Sequence, residues 1–177
     1  MFEFIKSIFP NQKEGGNKVN DKTVPLADAH SRKAAKSRSS GKYQYASCQS
    51  AGKTRHHNED ALFTLSCDFF TVDEPIHFGI YLVADGMGGH QSGEVASRLA
   101  AQAASRYIMG QLFADLLFDG GSKSEDDCLK VLGEAVTQAQ TLIHRQVPGG
   151  GTTLTLALMI GDEVFTAHVG DSRLYVI

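Results

Sequence analysis

The sequence predicts an α+β fold, and three observations predict it. Strand-like segments come first, two amphipathic helices follow, and strand-like segments return, which differs from the alternating βαβ order of a parallel sheet. The helices are neighbours in the chain, and each is closed by glycines. The returning strands meet at Gly161-Asp162, a two-residue turn that makes an antiparallel hairpin.

Residues 1–42 read as an apolar tip and a basic linker, and residues 43–177 as the folded unit. In the tip, Phe2, Ile5 and Phe9 share a helical face, so residues 1–10 are candidates for a weak membrane or partner contact. The plainer alternative is an apolar end that tucks onto the domain. Residues 11–42 are polar, basic and poor in apolar side chains, too poor to offset their ordering entropy. Tyr43 to Ser50 alternates and predicts a first strand, and Ala61 to Leu65 a second. Ile76 to Ala84 predicts a third, whose near-continuous apolar end suggests burial on both faces.

From Glu94 to about Leu117, Val95, Leu99, Ala103 and Tyr107 recur every fourth residue, and Ile108, Leu112 and Leu116 continue the stripe of the first helix. Ser124 opens a second helix with a capping pattern, Ser-Glu-Asp-Asp127. Its apolar face carries Cys128, Val131, Leu132, Ala135, Ala139, Leu142 and Ile143, and it stops at Pro148 and the glycines 149–151. Thr153 to Ile160 and Glu163 to Val169 are the hairpin strands, and Arg173 to Ile177 starts another.

Composition sets outer limits. With 177 residues, 42% of them hydrophobic and 21% charged, the chain is one globular domain plus a tail, not a disordered, collagen-like or polytopic membrane protein. The net charge of -3 hides an asymmetry: residues 1–42 hold nine Lys+Arg and four Asp+Glu, and residues 43–177 hold eight and sixteen. An acidic body argues against nucleic acid as a partner and leaves room for metal ions. Cys48, Cys67 and Cys128 form no paired motif, so a reducing cytoplasm is the expected compartment, with Cys48 and Cys67 in the core.

Three turns carry the candidate chemistry: Arg55-His-His-Asn-Glu-Asp60, Asp85-Gly-Met-Gly-Gly89 and Gly170-Asp171-Ser172-Arg173. Carboxylates at strand ends can converge, and converging acids call for a cation between them. Read singly, Asp85-Gly86 is a turn dipeptide, Glu59-Asp60 a solvated pair and Gly170-Asp171 a hairpin turn. Gly86 to Gly89 lacks the Lys-Ser/Thr of a P-loop, and the adjacent His56 and His57 diverge too far to share a metal in regular structure.

Five motifs in one order change this picture: Arg55-x-x-Asn-Glu-Asp60, Val83-Ala-Asp-Gly-Met-Gly-Gly89, Gly93-Glu-x-Ala-Ser97, Gly150-Gly-Thr-Thr-Leu154 and Ala167-His-Val-Gly-Asp-Ser-Arg173. Residues 43–177 resemble the metal-dependent serine/threonine protein phosphatases of type 2C in their bacterial form. The resemblance implies two packed antiparallel sheets flanked by helices, and hydrolysis of phosphoserine and phosphothreonine in proteins by a water activated on two Mn²⁺ or Mg²⁺ ions, with room for a third. It implies that Asp60, Asp85 and the Gly86 carbonyl hold the ions, that Glu59 acts through a water on a metal, that Arg55 holds the phosphate, and that Asp171 serves the additional ion. Met87 stands where other members carry a histidine proposed as general acid, so protonation of the leaving group falls to water or another group. The implied partner is a phosphoprotein supplied by an opposing Ser/Thr kinase, and the implied state a monomer. The later Ser-Asp-Gly and Asp-Asn motifs of the family are not present in the sequence, so the expectation is the N-terminal part of such a domain, silent or nearly so alone. The alternative is a non-catalytic module that binds phosphoproteins.

Overall fold

The computed structural model describes residues 3–8, 43–51, 53, 57–70, 75–87, 91–118, 123–175 and 177. The linker assigned to residues 11–42 and the Arg55 side chain lie outside the described residues.

One antiparallel sheet and one layer of helices are present among the described residues. The strands are β1 (Glu3–Ile8), β2 (Asp60–Phe70), β3 (Pro75–Met87), β4 (Gly151–Thr152), β5 (Leu154–Ile160) and β6 (Glu163–Val169). Their order is β1-β6-β5-β3-β2, with the short β4 pairing the end of β3. Between β3 and β4 come α1 (Gln91–Ile108), a π-helical turn (Met109–Phe113), α2 (Ala114–Phe118) and α3 (Glu125–Gln146). The α+β class is as the sequence predicts.

The core lies between the sheet and the helices. Phe78, Ile80, Leu82 and Ala84 of β3, Leu156 and Leu158 of β5, and Phe165 and Ala167 of β6 are buried there. Each set recurs with period two, because only one face of each strand meets the helices. The tail of β3 is therefore not buried on both faces, as its apolar run suggests: Val83 is 43% exposed on the face opposite the core. Part of that face is covered by the segment after residue 42. Tyr43 packs on His77 with ring centroids 4.8 Å apart, and Tyr45 on Tyr81 at 5.9 Å. His77 bonds Asp68, its cross-strand partner, at 2.8 Å.

Four local expectations differ from the structure. Residues 43–50 form no strand, since their tyrosines lie across the sheet instead of joining its ladder. Residues 173–175 and 177 are likewise not in a strand. Residues 3–8 pair antiparallel with β6, from Glu3 opposite His168 to Ile8 opposite Glu163, so the N-terminal tip is a strand at the sheet edge and not a helix. A short apolar run fits either period. Cys48 is exposed, while Cys67 is half-buried and Cys128 buried.

The long first helix is shifted by one residue from its predicted stripe. Ala96, Ala100, Ala104, Ile108, Leu112 and Leu116 are buried, with Ser97, Ala101 and Ser105 beside them, while Val95, Leu99, Ala103 and Tyr107 are only partly covered. Alanines let α1 lie close to the sheet and to α3. A strict four-residue spacing drifts around an α-helix of 3.6 residues per turn. The wider π turn at Met109–Phe113 takes up that drift and keeps Leu112 and Leu116 on the core side. The α3 cap forms as predicted: the Ser124 hydroxyl accepts from the Asp127 backbone N–H at 3.2 Å.

A larger side chain on the alanine face should strain this close approach. Ala104→Leu is expected to lower stability by about 1–3 kcal/mol through overpacking. Leucine at the exposed Gln102 should change it by less than about 0.5 kcal/mol. Urea unfolding of both variants checks the contrast.

Candidate functional site

The first two acidic turns meet because of strand register. β2 begins at Asp60, β3 runs on to Met87, and Asp60 lies directly opposite Asp85. Directly opposed residues of an antiparallel pair keep their Cβ atoms about 4.5–5.5 Å apart. Both aspartates share the sheet face that Leu62 and Val83 occupy, away from the helices, since side chains alternate along each strand. Asp60 is exposed and Asp85 half-buried. Two carboxylates in this relation repel each other, and a cation between them turns repulsion into attraction.

The backbone at this corner is held from several sides. The Asp60 N–H donates to the Asn58 side-chain oxygen at 3.0 Å, and Gln49 donates to the Asp60 carbonyl at 3.3 Å. The Thr153 hydroxyl accepts from the Asp85 N–H at 3.0 Å, and the Thr153 N–H donates to the Asp85 carbonyl at 2.9 Å. The Thr152 hydroxyl donates to the same carbonyl at 2.9 Å. Asp85 therefore has its main chain fixed by Thr152 of β4 and by Thr153, which joins β4 to β5.

Gly86 is where the strand meets the start of α1. Its N–H donates to the Glu59 carbonyl at 3.2 Å. A Cβ there would stand 2.6 Å from that carbonyl oxygen and would collide with the Gly93 carbonyl. Only glycine fits so close a backbone approach. Ser97 ties the same corner to α1 by donating to the Glu59 carbonyl at 2.6 Å and to the Glu94 carbonyl at 3.0 Å.

The other predicted residues are placed differently. The Glu59 carboxylate lies against Gly93 in the first turn of α1, where a Cβ would come within 2.5 Å of Glu59 Oε2. A helix N-terminus favours a negative group there. Asp171 is exposed in the turn after β6. That turn is joined to the site through its neighbour, as Ser172 and Thr153 share a hydroxyl hydrogen bond of 2.7 Å. His168 braces the turn, with Nδ1 2.9 Å from the Thr155 hydroxyl and Nε2 2.9 Å from the Gly170 carbonyl. Among the described residues, no three His, Cys, Asp or Glu side chains stand close enough together to cage a metal ion. Asp60 and Asp85 thus form a two-carboxylate platform, which suits a hard cation that keeps most of its waters.

Sequence reasoning assigned no role to Ser97, Thr152, Thr153 or Ser172. The signal was in the motifs themselves, since all four hydroxyls lie within the motifs that carry the resemblance.

Comparison with known proteins agrees with the motifs. The protein phosphatase 2C family matches residues 49–177. The chain is similar to the serine/threonine protein phosphatase PstP of Mycobacterium tuberculosis, 31% identical over 76% of this chain and 23% of the relative. It is also similar to the serine/threonine phosphatase stp of Listeria monocytogenes, 34% identical over 71% of this chain and 46% of the relative. The chain thus spans less than half the length of these curated relatives. The crystal structure of the Mycobacterium tuberculosis phosphatase covers 69% of this chain at 30% identity, with a TM-score of 0.45.

If Thr153 fixes the Asp85 main chain, removing the hydroxyl should be felt. Thr153→Val keeps the shape but leaves the Asp85 N–H and the Ser172 hydroxyl without this partner. A loss of about 1–3 kcal/mol is expected. Chemical denaturation measures it, and Thr153→Ser should restore most of it.

Proposed function

The chain belongs to the protein phosphatase 2C family, and on that footing we propose that it takes part in hydrolysing phosphoserine and phosphothreonine in proteins with Mn²⁺ or Mg²⁺. The observation that carries this reading is the opposition of Asp60 and Asp85 on one sheet face, beside the closely packed Gly86 backbone. Asp60, Asp85 and the Gly86 carbonyl would hold the cation. Once bound, it would neutralise phosphate charge and make a water molecule acidic enough to act as nucleophile near neutral pH.

The remaining roles fall to the chain's own residues. Thr152 and Thr153 keep the Asp85 main chain in place, so its carboxylate is aimed before substrate arrives. Glu59 braces the corner against α1. Arg55 would clamp the phosphate oxygens, the task a planar guanidinium does best. Met87 is 53% exposed beside the site and has no proton to give, so the leaving alkoxide takes its proton from water. Asp171, linked to the site through Ser172 and Thr153, would serve an additional ion. An opposing Ser/Thr kinase would supply the substrate.

A second reading, phosphoprotein binding without turnover, is favoured by one observation: among the described residues the acids converge as a pair and not as a larger cluster.

Phosphate release from a phosphothreonine peptide separates the two. In a polypeptide that carries the complete family domain, turnover with excess Mn²⁺ is expected on the order of 1 per second or more. Chelator should abolish it. Asp85→Asn should lower it by at least about 100-fold, since cation stabilisation of phosphoryl transfer is worth several kcal/mol. Peptide binding without phosphate release would favour the second reading, and undiminished turnover in Asp85→Asn would overturn the first.

A further inference from the structure

We propose that the groove between β2 and α1 docks acidic residues that flank the phosphorylated residue of a protein substrate. The proposal rests on the phosphatase reading and adds a sequence preference to it. The groove has a volume of about 620 Å³, and Ala61, Phe63, Arg98, Gln102, Arg106 and Met109 line it.

Three observations carry it. The first is charge. Arg98 and Arg106 are exposed on the same stripe of α1, and neither has an ion pair with a described residue. Residues 43–177 hold only eight Lys+Arg against sixteen Asp+Glu, so two arginines over one groove, neither paired with a described acid, leave a cationic spot on an acidic surface. The second is the sheet edge. β2 ends the strand order, so its outer row of backbone N–H and C=O groups has no strand partner among the described residues. Such an edge can accept an extended peptide as an added strand. The third is position. Ala61 and Phe63 face the groove and Asp60, one residue before them, faces the opposite side, so a strand added along β2 sends alternate side chains to the arginines and to the face of the Asp60–Asp85 pair.

The spacing makes the preference specific. Eight helical residues separate Arg98 from Arg106, a rise of about 12 Å. An extended peptide covers that in about four residues. A substrate with two acidic residues about four apart, on one side of its phosphoresidue, would reach both guanidiniums. Two arginines are too few to grip a nucleic-acid backbone from an acidic body.

The test reads binding in chelator, so turnover plays no part. Fluorescence anisotropy compares a phosphothreonine peptide carrying two glutamates spaced four residues apart with its glutamine counterpart, at low ionic strength. The acidic peptide should bind about five- to tenfold more tightly, and raising salt should erase the difference. Arg98→Glu/Arg106→Glu should abolish or reverse the preference. Arg98→Gln/Arg106→Gln, a milder change at two exposed positions, should remove it with an unchanged melting curve. No preference in the native protein, or a preference that survives both variants, would overturn the proposal. So would equal binding of a single-stranded oligonucleotide through the same arginines. A charge preference in a protein that shows no metal-dependent phosphate release would keep the groove and remove the phosphatase reading, while turnover without the preference would do the reverse.

Discussion

Eleven opposed pairs, from Asp60 with Asp85 to Phe70 with Pro75, set the register of β2 against β3, and the candidate site follows from it. A slip of one residue would turn every side chain of β2 to the other face. What prevents the slip is apolar burial. Ala61, Phe63, Leu65, Cys67 and Phe69 all pack against the helix-facing core, and none could leave it without exposing apolar area. At the far end, His77 and Asp68 pair across the same two strands and hold the alignment again. The relation between two carboxylates is thus decided by hydrophobic contacts on the opposite side of the sheet.

The corner itself is built from small residues. Gly86 and Gly93 let β3 and the start of α1 touch backbone to backbone, and Ser97 closes the gap with a hydroxyl on the Glu59 carbonyl. Thr152 of β4 and Thr153, the residue after it, hold the other flank of Asp85. Each hydrogen bond contributes only about 1 kcal/mol net. Together they hold the Asp85 main chain in place, the preorganisation that the proposed cation site would require.

Much of this was legible in the sequence. The hairpin around Gly161-Asp162, the two long helices and strands β2 and β3 all follow from period and punctuation. The family motifs point to Asp60 and Asp85, which the strand register sets opposite each other. Other features were not legible, for physical reasons. Tyr43 and Tyr45 alternate as a strand would, but they serve as aromatic covers over His77 and Tyr81, a tertiary role that no local pattern encodes. The edge strand Glu3–Ile8 is too short for period alone to separate it from a helix. The buried face of α1 is an alanine face, and a hydrophobicity stripe points instead to the larger Val95 and Leu99 beside it. The direction of the Glu59 side chain depends on how closely Gly93 approaches, which is a property of packing.

The central claim is that Asp60 and Asp85 act on one cation as a unit. Mn²⁺ titration followed by electron paramagnetic resonance, on the native protein, Asp60→Asn, Asp85→Asn and the double variant, measures it most directly. Residues that share a ligand give strongly non-additive losses. The account predicts that each single substitution weakens binding by at least about tenfold and that the double variant is little worse than either. Independent losses that simply add, or Mn²⁺ affinity unchanged in Asp85→Asn, would contradict it.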